Sequence, residues 1–187
     1  MKESSITSIK LLRTFAEHHL QVVSPTILKY LFPHVSDNTR YAIIKRLFKK
    51  QLIIPLKPGL YIITTNPPTS YQIANLLVPT SYISLETALN HYGILSQFPR
   101  NITSVTPGKT KSFNRDLEYT YTHLQPILFH SYKNVNNVLM ATPEKAVIDY
   151  LYLASKGLRN SDISEFNLDN LNRSQFRKYS WSKAYAK

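Results

Sequence analysis

Ser36-Asp37-Asn38-Thr39-Arg40-Tyr41-Ala42-Ile43-Ile44-Lys45-Arg46-Leu47-Phe48-Lys49-Lys50, then Leu52-Ile53-Ile54-Pro55-Leu56-Lys57, Pro58-Gly59 and Leu60-Tyr61-Ile62-Ile63-Thr64, is the stretch on which the reading of this chain turns. Ser36 or Asp37 caps a helix that runs to about Lys50. At about 100° per residue, Ile43, Ile44, Leu47 and Phe48 fall on one side. Asn38, Tyr41, Ala42, Lys45, Arg46 and Lys49 fall on or near the other. Arg40 falls on the apolar side and is set apart from them. Two β-rich runs around Pro58-Gly59 read as a hairpin, with Pro55 confining the first run to a sheet edge.

Upstream, Ile9, Leu12, Ala16 and Leu20, with Leu11 and Phe15 alongside, predict a helix over roughly residues 5–19. Ser24 and Pro25 are an N-cap and a first helical residue; Ile27, Leu28, Leu31 and Phe32 give that helix its apolar face, and Pro33 ends it. Three helices and a hairpin predict a winged helix-turn-helix over residues 1–65. Its third helix enters the DNA major groove, where side chains read base edges. The candidate DNA contacts are Asn38, Thr39, Tyr41, Lys45, Arg46, Lys49 and Lys50, with Lys57 on the hairpin.

The charge agrees. The chain of 187 residues carries a formal +12. Residues 1–65 hold 10 Lys/Arg against 3 Asp/Glu, and residues 66–187 hold 13 against 8, so the first third is the more densely basic. No acidic residue lies between Asn38 and Leu85. Excess positive charge favours polyanions, because each neutralised phosphate releases counterions. Two alternatives stand beside DNA: a protein-docking module, and a regulator that answers to a small ligand.

Cysteine is absent, which excludes disulfides and cysteine-ligated zinc. Neither a signal peptide nor a run of 18 apolar residues is found, so a cytoplasmic location without membrane contact is expected.

Asn66-Pro67-Pro68-Thr69-Ser70 marks a boundary. Over 70–187 the chain predicts a small α+β domain with a mostly antiparallel sheet. Helices are expected after Ser70, Ser84 and Thr142, with all three as caps. Strands are expected at 102–106, 117–122, 127–129 and 138–140, a turn at 134–137, and shorter helices at 161–166 and 168–185. Lys109 and Lys111 form a possible second contact. Asp149 is placed to pair with Lys145 one turn earlier.

Three ordered blocks carry a resemblance. They are Lys57-Pro58-Gly59-Leu60-Tyr61; Val78 to Glu86, continuing through Tyr92-Gly93 to Ile102-Thr103-Ser104-Val105-Thr106; and Ala141-Thr142-Pro143-Glu144-Lys145-Ala146-Val147-Ile148-Asp149. Over roughly residues 7–157 the chain resembles the AbiEi family, the antitoxins of type IV abortive-infection toxin–antitoxin systems of phage defence. The resemblance implies an autorepressor that binds repeats in its own promoter. It also implies a C-terminal domain that counteracts a nucleotidyltransferase-like toxin without a stable complex.

Enzyme motifs are lacking. There is no Glu-x-Lys, Gly-Ser with Asp-x-Asp, Gly-x-x-x-x-Gly-Lys or Gly-x-Ser-x-Gly, and no paired histidines at metal-ligand spacing. A triad assembled through space, for example from Ser104, His123 and Asp116, is the catalytic alternative. A non-enzyme without cofactor or metal is expected.

Overall fold

The computed structural model describes residues 7–169 and 171–180, and its contacts divide the chain into Met1–Thr69 and Ser70–Lys187. Both units are mixed α and β. No helix among the described residues is long and apolar enough to cross a membrane.

In the first unit, α1 (Ser8–Glu17) begins where Thr7 Oγ1 accepts from the Lys10 amide at 3.2 Å. Its buried seam is Leu11 and Phe15, one turn apart. Ile9, expected inside, is 80% exposed, and Ala16 is exposed too. Two residues of helix turn through about 200°, so Ile9 lies nearly opposite Leu11. Residues 5 and 6 of the expected helix lie outside the described residues.

A two-residue strand, β1 (Val22–Val23), leads into α2 (Pro25–Leu31). Ser24 Oγ accepts from the Ile27 amide at 3.1 Å, and Pro25 needs no donor at the first position. α3 (Asp37–Lys49) is capped by Ser36, whose Oγ accepts from the Thr39 amide at 3.3 Å. The hairpin is β2 (Ile53–Lys57) and β3 (Leu60–Ile63), turning at Gly59 with φ +75°. The sheet order is β1-β3-β2, all antiparallel, with a register shift between Pro55 and Lys57. Leu11, Phe15, Leu28, Ile43, Leu47 and Ile53 close the core beneath it. Each such side chain contributes roughly 1.5–3 kcal/mol on burial. Phe48, expected in this seam, is 52% exposed. It sits about 90° from the centre of the Ile43–Ile44–Leu47 face.

In the second unit, α4 (Ser70–Leu77), β4 (Tyr82–Ile83) and α5 (Leu85–His91) precede β5 (Asn101–Thr106), β6 (Lys111–Asn114) and β7 (Glu118–His123). β8 (Tyr132–Val135), β9 (Val138–Ala141), α6 (Pro143–Ser155) and α7 (Arg173–Ser180) follow. The strand order is β6-β7-β5-β4-β9-β8. The β5–β7 and β4–β9 pairs are parallel and the remaining three antiparallel. Most pairs are antiparallel, as expected, but the two parallel pairs, which were not expected, make the sheet mixed. Its parallel pairs arise because β6 folds out to the edge and β4 inserts between β5 and β9.

Other expectations change. Residues 127–129 are not a strand; a 3-10 turn, Pro126–Leu128, stands there, with proline removing a ladder donor. The turn at 134–137 shrinks to Asn136 and Asn137, at φ 52° and 62°, as a two-residue hairpin loop requires. Residues 161–166 are not helical. Asn160 and Asp162 side chains accept from the backbone two residues on, a bonding mode that competes with helix. Of the helix expected over 168–185, Arg173–Ser180 is observed; Asn170 and residues 181–185 lie outside the described residues.

α6 is fixed by its N-cap and by a buried ion pair. Thr142 Oγ1 accepts from the Lys145 amide at 3.3 Å. Lys145 Nζ pairs with Asp149 Oδ1, both side chains fully enclosed. Asp149 Oδ2 accepts from Tyr82 Oη and Ser84 Oγ, each at 2.9 Å, which bonds α6 to β4.

Ser84 is thus diverted from the capping role expected of it, and α5 has no bond from its own N-cap side chain. Thr103, on β5, takes that role: its Oγ1 accepts from the Thr87 amide at 3.0 Å and donates to the Ser84 carbonyl at 2.8 Å. Leu85, between these anchors, is held at φ +58°, a left-handed conformation uncommon for a non-glycine residue.

Asp149→Ala strands a buried ammonium and frees two hydroxyls. We expect a loss of about 3–5 kcal/mol in urea unfolding. In a double-mutant cycle, Lys145→Met and Asp149→Ala together should cost about 1–3 kcal/mol less than the sum of the single changes. Strict additivity would refute the coupling.

Candidate nucleic-acid interface

Because Ile43, Ile44 and Leu47 turn inward, α3 presents its opposite face to solvent. Asn38, Tyr41, Lys45 and Lys49 follow one another at three- and four-residue intervals along it, all exposed, and Lys50 adds a further exposed charge at the helix end. Thr39 is half-buried, and its hydroxyl lies 2.9 Å from Ser36 Oγ, where it reinforces the cap. Arg46 and, on β2, Lys57 are half-buried. Arg40 is buried and pairs with Asp37, in keeping with its separation from the contact set. A helix of 13 residues is about 20 Å long, a length the major groove accommodates.

Sequence reasoning counted Tyr41 among the contacts but missed its aromatic neighbour Phe48. Tyr41, 63% exposed, and Phe48 flank Lys45, and with Ile44, Pro55 and Tyr61 they line a shallow groove between α3 and the hairpin. The signal was present as Tyr41, Lys45 and Phe48 at helical spacing. Assigning Phe48 to the core concealed it.

In the second unit, Lys109 is exposed in the loop after β5, and Lys111 is exposed at the start of edge strand β6. The loop is shaped by the Gly108 amide donating to Thr106 Oγ1 at 3.2 Å and the His123 amide donating to Thr110 Oγ1 at 3.0 Å.

Most of the remaining polar residues of the sequence blocks are turned to the interior, Thr80 being exposed. Ser81 Oγ donates to the Val78 carbonyl at 2.6 Å, and Thr106 Oγ1 to that of Thr80 at 2.8 Å. Glu144 accepts from the Asn172 amide at 3.0 Å. Burial raises the Asp149 carboxyl and lowers the Lys145 ammonium, and their mutual contact opposes both shifts.

The Ser104, His123 and Asp116 arrangement does not assemble. Ser104 Oγ is buried without a hydrogen-bond partner among the described residues, His123 Nδ1 lies 2.9 Å from the Gly108 carbonyl, and Asp116 is exposed. Among the described residues no three His, Asp or Glu side chains converge as a metal site requires.

This geometry separates folding from surface chemistry. Lys45→Ala and Lys49→Ala should each change unfolding free energy by less than about 0.5 kcal/mol. Arg40→Ala should cost about 1–2 kcal/mol, because it empties a buried position. Denaturant titrations of the three variants measure this; a marked loss for either lysine would mean that the face is structural. A scan against protein-family models matches none to this chain, and a search of curated proteins finds no significant relative.

Proposed function

We propose that the first unit is a winged helix-turn-helix that binds double-stranded DNA, and that the chain is an autorepressor and antitoxin of the AbiEi type. The observation that carries the DNA reading is the exposed row Asn38, Tyr41, Lys45 and Lys49 on α3, backed by Lys50 and by a core that holds the helix rigid from behind. The element order α1-β1-α2-α3-β2-β3 and the β1-β3-β2 sheet support it, since that arrangement sets a hairpin beside an outward helix. In this reading the lysines meet phosphates, and Asn38 and Tyr41 reach base edges.

The antitoxin half rests on the three sequence blocks. Much of the second and third blocks encodes the β4–β5–α6 framework of the second unit, so the resemblance there is one of architecture. The reading requires no cofactor and no catalytic residue. It places the protein in the cytoplasm, with its own promoter repeats as ligand and a nucleotidyltransferase-like toxin as functional antagonist.

A second reading is favoured by one feature. Tyr41 and Phe48 project from the same face as Lys45, and exposed aromatics are enriched where proteins dock. In that reading the first unit is a protein-interaction module.

Electrophoretic mobility of DNA from upstream of the chain's own reading frame distinguishes the two. Binding should weaken with salt, and the double change Lys45→Ala, Lys49→Ala should lower the log–log salt slope by about 1.8, roughly 0.9 per lost phosphate contact. Affinity indifferent to salt, or equal for unrelated DNA, would sink the repressor reading. Rescue of growth on co-expression with the adjacent gene tests the antitoxin half separately.

A further inference from the structure

The second unit contains a cleft of about 600 Å³ over the parallel β5–β7 pair. Its floor is set by register: Thr103 lies opposite Thr120, and Thr122 follows on the same face of β7. Glu86, from α5, and Arg159, beyond α6, meet there at 2.6 Å through Glu86 Oε1 and Arg159 Nε. The Arg159 guanidinium also donates to the Leu158 carbonyl at 2.8 Å and to Thr122 Oγ1 at 3.4 Å. Its terminal nitrogens are committed, while Nε meets Glu86 Oε1 as an ion pair without hydrogen-bond geometry.

Three groups of the cleft are uncommitted. Glu86 Oε2 is buried and accepts no hydrogen bond among the described residues. A buried acceptor left in that state is costly and calls for a reason. Arg100 is exposed and forms no ion pair among the described residues. Phe98, 88% exposed, adjoins Pro99 at the rim. The cleft therefore offers an acceptor at depth, the Thr120 hydroxyl on the floor, a cation at the mouth and a flat apolar ring.

We propose that this cleft binds a nucleoside monophosphate. The phosphate meets Arg100 and the Thr120 hydroxyl, the pairing of a guanidinium and neutral donors that suits phosphate oxygens. A ribose hydroxyl or base amino group donates to Glu86 Oε2. The base lies on Phe98, since an exposed aromatic ring stacks a base whatever its sequence. The volume suits a ligand of that size and leaves an inorganic ion underfilled. Every residue of the site belongs to the second unit, and α3 belongs to the first.

The test uses the full chain. Calorimetry and amide chemical-shift mapping are run with AMP, GMP, CMP and UMP, and with inorganic phosphate and L-phenylalanine as controls. At least one nucleotide should bind saturably, shifting amides of residues 97–103 and 120–122. Arg100→Ala should weaken binding about tenfold, and Phe98→Ala about fivefold or more. Both side chains are exposed, so thermal unfolding of the variants should match the parent. The double change Lys45→Ala, Lys49→Ala should leave affinity unaltered, which keeps a failure here distinguishable from a failure of DNA binding. Absence of saturable binding by all four nucleotides overturns the proposal. So does phosphate or phenylalanine binding as tightly as any nucleotide, or affinity that follows the α3 lysines and not Arg100 and Phe98.

Discussion

The carboxylate of Asp149 is the point on which the second unit depends. It is fully enclosed, and it accepts from Lys145 on its own helix and from Tyr82 and Ser84 on and beside β4. A buried ion pair is not in itself strong evidence of stability, because removing two charges from water is expensive. Here the geometry answers that expense with two hydroxyl donors on the second oxygen. The consequence is positional. β4 runs parallel to β9, and β9 leads directly into α6, so the carboxylate ties the end of one parallel strand to the helix that follows the other.

That use of Ser84 propagates. With its hydroxyl engaged by Asp149, the start of α5 requires another acceptor, and Thr103 supplies it from the neighbouring strand. Thr103 is then fixed by two bonds, and its register partner Thr120 lies on the face that floors the cleft beside Glu86. One charge deep in the unit thus bears on the geometry of a surface cleft through backbone and hydroxyl bonds alone. In the first unit the organising constraint is simpler. A narrow apolar seam on α3 faces a small core, and every charge the helix carries beyond Arg40 and the half-buried Arg46 is left outside.

Legibility in the sequence followed the range of the interaction. Caps are local, so Ser24, Ser36 and Thr142 were readable from a residue and its next neighbours. The Lys145–Asp149 pair was readable because one helical turn separates the two. Ser84 holds the N-cap position expected of it, but the use of its hydroxyl was not legible because its partner is 65 residues away. β1 and β4, two residues each, carry no periodicity; pairing with distant strands alone makes them strands. The parallel pairs were missed for the same reason. On the candidate interface, the basic positions of α3 were legible from spacing. Phe48 was not, because a residue about 90° from a seam centre is placed by the size of the core and not by the pattern. The Glu86–Arg159 cleft was illegible, since its walls are gathered from four separate segments.

Pro55 has a consequence of another kind. It lies in the outer strand of the hairpin sheet, beside a register break and one residue from exposed Ile54 and two from Lys57. An open rim with regular amide donors is a template on which further chains can add. Proline removes one donor, the break bends the rim, and the lysine repels a like-charged copy. The rim therefore resists strand-by-strand growth, so the hairpin stays open to solvent without seeding aggregates.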